Sequence, residues 1–124
     1  MIYILNSDDC EKVPKNWGEE IILHNSDKYC GKLLRFNRGA KFSMHFHILK
    51  EETWYINKGE FQINYINPEN ADKFSKILTE GMVIEIEKGN PHQLIALTDG
   101  EIFEVSTQHF DDDSYRIEKG DSQS

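Results

Sequence analysis

Residues 39–59 read GAKFSMHFHILKEETWYINKG. His45 and His47 lie two apart in a strand-like run, Lys41 to His47, and side chains two apart on a strand share a face. Taken alone, such a pair reads more readily as surface or satisfied core histidines than as ligands. Its surroundings change that reading. Glu52 follows five residues after His47, at the head of the strand formers Thr53-Trp54-Tyr55-Ile56-Asn57. Far downstream, His92 begins another strand directly after the turn Lys88-Gly89-Asn90-Pro91. Three imidazoles and one carboxylate suit a borderline divalent metal and leave positions open for water or substrate. Glu51 should point to the opposite face from Glu52. Alternation by itself leaves an exchange of the two open.

Outward from this stretch, the chain reads as short strands separated by turn residues. Strands are expected at Ile21-Ile22-Leu23, Tyr29 to Phe36, and Glu60 to Ile66, the last alternating strictly between polar and apolar. Further strands are expected over 74–78, 82–87, 92–97 and 101–107. Lys58-Gly59 between two of the strands predicts a hairpin. Phe61, Ile63 and Tyr65 form one strand face and read as core or interface. No long amphipathic helix is visible. Many short strands at this spacing predict an all-β sandwich or barrel.

The length of 124 residues predicts a single domain, with a barrel core over about 17–110 and a C-terminal tail over about 111–124. The last residues, 120–124, are expected to be loose. The formal net charge is -8, which argues against nucleic acid or an anionic membrane as partner. The run Asp111-Asp112-Asp113 reads as a solvated loop or tail. Cys10 and Cys30 form no CxxC pair and read as free thiols in a reducing compartment. The apolar run Ile2 to Leu5 is too short for a signal peptide or a membrane span, so a cytoplasmic protein is expected.

The spacing resembles the two motifs of the cupin family, G(x)5HxH(x)4E(x)6G and G(x)5PxGxxH. Gly39, His45, His47, Glu52 and Gly59 match the first at every specified position. Gly81, Gly89 and His92 match the second, with Glu87 in place of proline and Ala96 where asparagine often ends the motif. The resemblance implies a single-domain jelly-roll β-barrel (a double-stranded β-helix). It also implies one divalent ion, Zn, Mn, Fe, Co or Ni, held by His45, His47, Glu52 and His92.

From Trp17 onward the chain also resembles the cupin domain of type II mannose-6-phosphate isomerases. Pro14 and Trp17-Gly18 are similar to that family's Pro-Trp-Gly opening, and Tyr29 and Lys32 to its Tyr and Lys ahead of the metal strand. Gly39 to Ser43 resembles its GARLS segment, and Lys50 to Trp54 its RAEHW. Leu78-Thr79-Glu80 through His92 aligns with its LTEN…H segment, and Glu104-Val105, Arg116 and Glu118 with its EV and RFE pieces. That resemblance implies aldose–ketose isomerisation of a hexose 6-phosphate. His45 stands where that family usually has glutamine, and Lys119-Gly120-Asp121-Ser122 replaces its basic RYGR.

A phosphosugar requires a cation near the pocket. Arg116 is the first candidate, with Lys50, Arg35 and Lys32 behind it. Glu118 and His109 are candidate acid or base groups. Trp54, in phase with Glu52, either stacks on a sugar or packs in the core. The leading expectation is a metal-dependent isomerase of a sugar or sugar phosphate, working as a homodimer. The alternatives are a cupin dioxygenase and a non-catalytic module that binds metal and sugar.

Overall fold

The computed structural model describes residues 1–118 and 120. The expectations for Lys119 and for residues 121–124 lie outside the described residues, whereas Gly120 is buried against the Phe42–Ser43 backbone. Among the described residues, a capped 3-10 turn, Ser7–Asp9, precedes eleven strands. They are β1 (Glu11–Lys15), β2 (Gly18–Asn25), β3 (Cys30–Phe36), β4 (Met44–Phe46), β5 (Glu52–Lys58) and β6 (Phe61–Ile66). There follow β7 (Lys73–Leu78), β8 (Val83–Ile86), β9 (His92–Ala96), β10 (Gly100–Ser106) and β11 (Tyr115–Glu118).

The strands form a six-stranded sheet, β1-β2-β3-β10-β5-β8, and a five-stranded sheet, β11-β4-β9-β6-β7. All the pairings are antiparallel. The two sheets face each other as a jelly roll, the all-β architecture expected from the sequence. Alternation decides which side chains enter the space between them. On β5, Glu52, Trp54 and Ile56 are buried while Tyr55 and Asn57 are exposed. On β6, Phe61 and Ile63 are buried, with Tyr65 packed partly against them. Trp17, Phe36, Phe42, Trp54, Ile56, Leu94 and Ile102 fill one end of the interior. The other end is left for polar groups. Cys10 and Cys30 are both free, and Cys30 is buried. Among the described residues, no helix is long and apolar enough to cross a membrane.

The hairpin expected at Lys58-Gly59 is not formed. β5 pairs with β10 and β8, whereas β6 pairs with β9 and β7, so this turn is a corner between the sheets. A short Lys-Gly connection looks the same in sequence whichever strands it joins; the partners are chosen by which faces must be buried. Two strands went unrecognised. β1 contains Pro14 among charged residues, and β11 is only four residues long, just after an acidic run, and exposed along its whole length. Both are edge strands held mainly by their backbone ladders. β11 also lies within the stretch read as a tail. The expected strand from Lys41 to His47 shrinks to Met44–Phe46, with a lone bridge from Lys41 to Ile95.

Gly59 is needed at the corner. Its φ is +85°, and a Cβ there would stand 2.5 Å from the Asp99 carbonyl oxygen. Backbone atoms cannot yield as a flexible side chain would. Gly59→Ala is therefore expected to destabilise the fold by about 2 kcal/mol or more, combining left-handed strain with a backbone clash. Urea or thermal unfolding of the variant beside the wild type measures this directly.

Candidate metal centre

Three imidazoles meet inside the barrel. His45 lies on β4, His47 immediately follows it, and His92 opens β9 as the direct ladder partner of His45. One ligand nitrogen from each lies within 4.8 Å of the others. Each ring is fixed from behind. His45 Nδ1 lies 2.8 Å from the Ser43 carbonyl, and His92 Nδ1 lies 2.9 Å from the Asn90 carbonyl. His47 Nδ1 meets the Asp113 carbonyl. A carbonyl only accepts, so Nδ1 carries the proton in all three rings and Nε2 keeps its lone pair. That is the tautomer a metal requires.

Glu52, on the opposite sheet, approaches two of the three rings and stands beside the triad. Its Oε2 is 3.4 Å from His47 Nε2, and its Oε1 is 4.0 Å from His92 Nε2. Trp54 Nε1 donates to Oε1 at 2.7 Å, so this tryptophan is 1% exposed and anchors the carboxylate from the core. Oε2 is buried with no hydrogen-bond partner among the described residues. A buried oxygen without a donor is costly unless a cation completes it. Three converging Nε2 atoms beside an orphaned carboxylate oxygen therefore fit a divalent metal. Glu51 points outward and is exposed.

A charged layer continues from Glu52 along the six-stranded sheet. Lys50 Nζ lies 3.5 Å from Glu52 Oε2 and 3.3 Å from Glu104 Oε2. Lys32, opposite Glu104 in the ladder, lies 3.5 Å from Glu20. Lys50, Lys32, Glu52 and Glu104 are all buried. Burial works to lower Lys50, yet Glu104 and Glu52 overcome it and hold the ammonium above its ordinary value. Burial pushes Glu52 up to about 7, the Glu104 charge adding to it against Lys50 and Trp54. Burial also works to raise Glu104, but Lys50 and Lys32 outweigh it and keep this carboxylate below its usual range. One ammonium shared by two carboxylates thus holds Glu104 charged and leaves Glu52 short of a cation.

A cavity of about 350 Å³ joins these groups. Its walls include His45, His47, His92, Glu52, Lys50, Lys32, Glu104, His109 and Arg116. His109 Nδ1 lies 3.4 Å from Lys50 Nζ, and its Nε2 lies 3.1 Å from the exposed Asp111. Arg116 stands beside His45 in the β4–β11 ladder, and its guanidinium has no ion pair among the described residues. Glu118 lies elsewhere, on a separate depression lined by Gln62, Asn64 and Gln93. Arg35 is bound by Glu101 at 2.9 Å and Glu19 at 3.4 Å, away from the cavity.

The reading of the three aspartates as solvated holds for Asp111 and Asp112 but not for Asp113, which is 3% exposed. Its carboxylate is buried because the backbone N–H groups of Ile48, Leu49 and Lys50 donate to it. Glu104 and Glu20 also escaped the sequence reading as parts of the cavity wall. A signal for Glu104 existed: it is in phase with buried Ile102 on β10. Asp113 offered none.

A cupin family model matches residues 31–119. The chain belongs to the cupin family. Among solved structures, this cupin is similar to a variant of Bacillus subtilis oxalate decarboxylase, at 17% identity and a TM-score of 0.81. The match covers 91% of this chain and 32% of that one. A second structure of the Bacillus subtilis enzyme, from work on its Mn(II) centres, matches at 17% identity and a TM-score of 0.80, over 91% of this chain and 32% of the other. Lactobacillus farciminis oxalate decarboxylase, in a formate complex, matches at 19% identity and a TM-score of 0.78, over 94% of this chain and 38% of the other. The cupin thus spans about a third of the length of these enzymes. At such identities the likeness is one of fold. No curated protein matches the sequence.

The imidazoles give this centre a pH signature. Burial is the largest influence on each, holding His47 and His92 down to about 4 and His45 well below the ordinary imidazole value. Between pH 6.5 and 4 the unfolded chain takes up protons that the folded histidines refuse, so their stabilising contribution is lost as pH falls through this window. Glu52 acts in the opposite sense: raised from 4.5 to about 7, it contributes stability below 4.5 that is lost as pH rises through 7. Three groups outweigh one. The metal-free cupin is expected to melt at lower temperature as pH falls from 6.5 to 4, with a shallower slope in His92→Gln. Melting curves of the metal-free protein across that range measure both; a rising melting temperature would show that Glu52 dominates.

Proposed function

We propose that this cupin is a metal-dependent aldose–ketose isomerase acting on a sugar or sugar phosphate. One observation carries the reading: the imidazole triad shares its cavity with a buried Lys50–Glu104 pair and with Arg116, which has no ion pair among the described residues. Holding a metal does not require that pair, and a carboxylate and an ammonium beside the metal are groups that an isomerisation can use. The resemblance to type II mannose-6-phosphate isomerases supplies the substrate class.

His45, His47, His92 and Glu52 would hold the ion, which is manganese, iron, cobalt, nickel or zinc on this reading. A bound divalent cation supplies polarisation of the carbonyl and the neighbouring hydroxyl of the sugar. The remaining work falls to the chain. Arg116 holds the phosphate through its guanidinium. Glu104, kept ionised, receives the proton that leaves the carbon next to the carbonyl and returns it to the neighbouring carbon. Lys50, kept as an ammonium, stabilises charge on the enediol oxygens by donating hydrogen bonds. His109 connects Lys50 to the surface through Asp111. Trp17, Phe42 and Trp54 exclude water from one side of the cavity.

A second reading is favoured by the ligand set itself. Three histidines and a carboxylate also suit oxygen-dependent iron enzymes, and Arg116 could hold the carboxylate of a small acid as well as a phosphate.

The test is a coupled assay of mannose 6-phosphate conversion to fructose 6-phosphate, with the protein loaded in turn with each of the five metals. Turnover is expected in the wild type and none in His47→Ala. Glu104→Gln is expected to lower kcat by about a hundredfold or more, and Arg116→Ala to raise KM for the phosphorylated sugar. Bound metal with no turnover of any hexose or pentose phosphate would refute the isomerase. Substrate-dependent oxygen uptake by the iron form would establish the second reading, and sugar binding without turnover would identify a non-catalytic module.

A further inference from the structure

Asp113 holds two different parts of the metal centre at once. Its Oδ1 accepts from the N–H of Ile48 at 2.9 Å and of Leu49 at 3.1 Å. Its Oδ2 accepts from Leu49 at 3.2 Å and from Lys50 at 3.1 Å. Its own backbone carbonyl accepts from His47 Nδ1. The loop so gripped, 48–51, is the connection between ligands His47 and Glu52, and it carries Lys50. No other side chain meets that loop with several hydrogen bonds among the described residues. Glu51 N reaches Thr107 Oγ1 at 3.1 Å, a single contact.

The arrangement is more than local packing. Three consecutive N–H groups cannot be satisfied within a strand, because the chain turns there from one sheet to the other. An ionised carboxylate gives charge-assisted bonds to all three. The carboxylate also fixes its own residue, and with it the carbonyl that sets the His47 ring. Tautomer and orientation of His47, the span from His47 to Glu52, and the backbone position of Lys50 therefore depend on one side chain. By contrast, His45 and His92 bond to carbonyls two residues upstream and orient themselves locally.

We propose that Asp113 is the positioning residue of the metal centre, presetting His47 and the loop to Glu52 so that the ligands converge before metal arrives. The proposal rests on the site binding metal and is independent of the substrate. Outer groups that orient metal ligands characteristically change metal affinity about 10- to 100-fold when removed.

The experiment measures cobalt affinity by titration, the visible spectrum of the cobalt form, and the melting temperature of the metal-free protein. The variants are Asp113→Ala, Asp113→Asn and, as control, Asp112→Asn. In Asp113→Asn the volume is kept, but an NH2 group faces the N–H groups of Leu49 or Lys50, donor against donor. Both Asp113 variants are expected to bind cobalt about 10- to 100-fold more weakly and with an altered spectrum, while Asp112→Asn matches the wild type. Should Asp113→Ala fail to fold, Asp113→Asn decides. A folded Asp113→Asn protein with wild-type affinity and an unchanged spectrum overturns the proposal, even if its melting temperature falls. A wild type that binds no cobalt or other divalent metal overturns the metal centre and this role together.

Discussion

Glu52 is a carboxylate enclosed between two sheets, with one oxygen held by Trp54 and the other without a hydrogen-bond donor among the described residues, 3.5 Å from the Lys50 ammonium. Taking such a group out of water costs several kcal/mol unless opposite charge follows it in. The wall around it supplies only part of that charge. Glu52, Glu104 and Glu20 face Lys50 and Lys32, three carboxylates against two ammonium groups. Lys50 is drawn toward both of its neighbours, and Glu104 keeps the benefit. Glu52 is the member left under-compensated, and it is also the member that reaches His47 and His92. The charge imbalance and the ligand geometry point to the same place, where a divalent cation would satisfy both.

That coincidence depends on the corner at Gly59. The charged layer belongs to the six-stranded sheet and the imidazoles to the β4–β9 end of the five-stranded sheet. Neither sheet contains a whole site. Had β5 and β6 paired as a hairpin, Glu52 would have been carried in the same sheet as the histidines and could not face them across the interior. The positive φ at Gly59 lets the chain leave one sheet and enter the other, so the glycine ending the first motif is an architectural residue for the centre as well as for the fold.

The sequence was legible where side chains alternate and where motifs have fixed spacing. β6 was readable because polar and apolar residues alternate along it, the strands around β3, β5, β9 and β10 because runs of strand formers are bounded by turn residues, and the imidazole set because its spacing is that of a known family. The edge strands β1 and β11 gave no such signal, since backbone pairing holds them and few of their side chains are buried. Partner choice across Lys58-Gly59 was illegible because a two-residue connection carries no information about distant strands. Asp113 was misread for a similar reason. In an acidic run, nothing local distinguishes the one carboxylate that folds back by more than sixty residues to meet Ile48 and Leu49 from its two exposed neighbours.

The distribution of cations in the cavity bears on what it can admit. Lys32 and Lys50 lie close to the metal triad, but each is already committed to buried carboxylates. Pulling either toward a ligand would leave a carboxylate unpaired in the interior, which costs more than a surface pair returns. Arg116 is different: it is exposed, sits next to His45 in the ladder, and has no ion pair among the described residues. The charged end of a ligand is therefore favoured at Arg116, while Lys50 can donate to a ligand oxygen only from within its pair with Glu104. With the metal ligands at one end and Arg116 on the neighbouring strand, the cavity best suits a molecule with separate ends, one bearing oxygens for the metal and one bearing a negative charge. A sugar phosphate has that form. A small acid with a carboxylate at one end would meet Arg116 in the same way, so the guanidinium argues for an anionic ligand on either proposed reading.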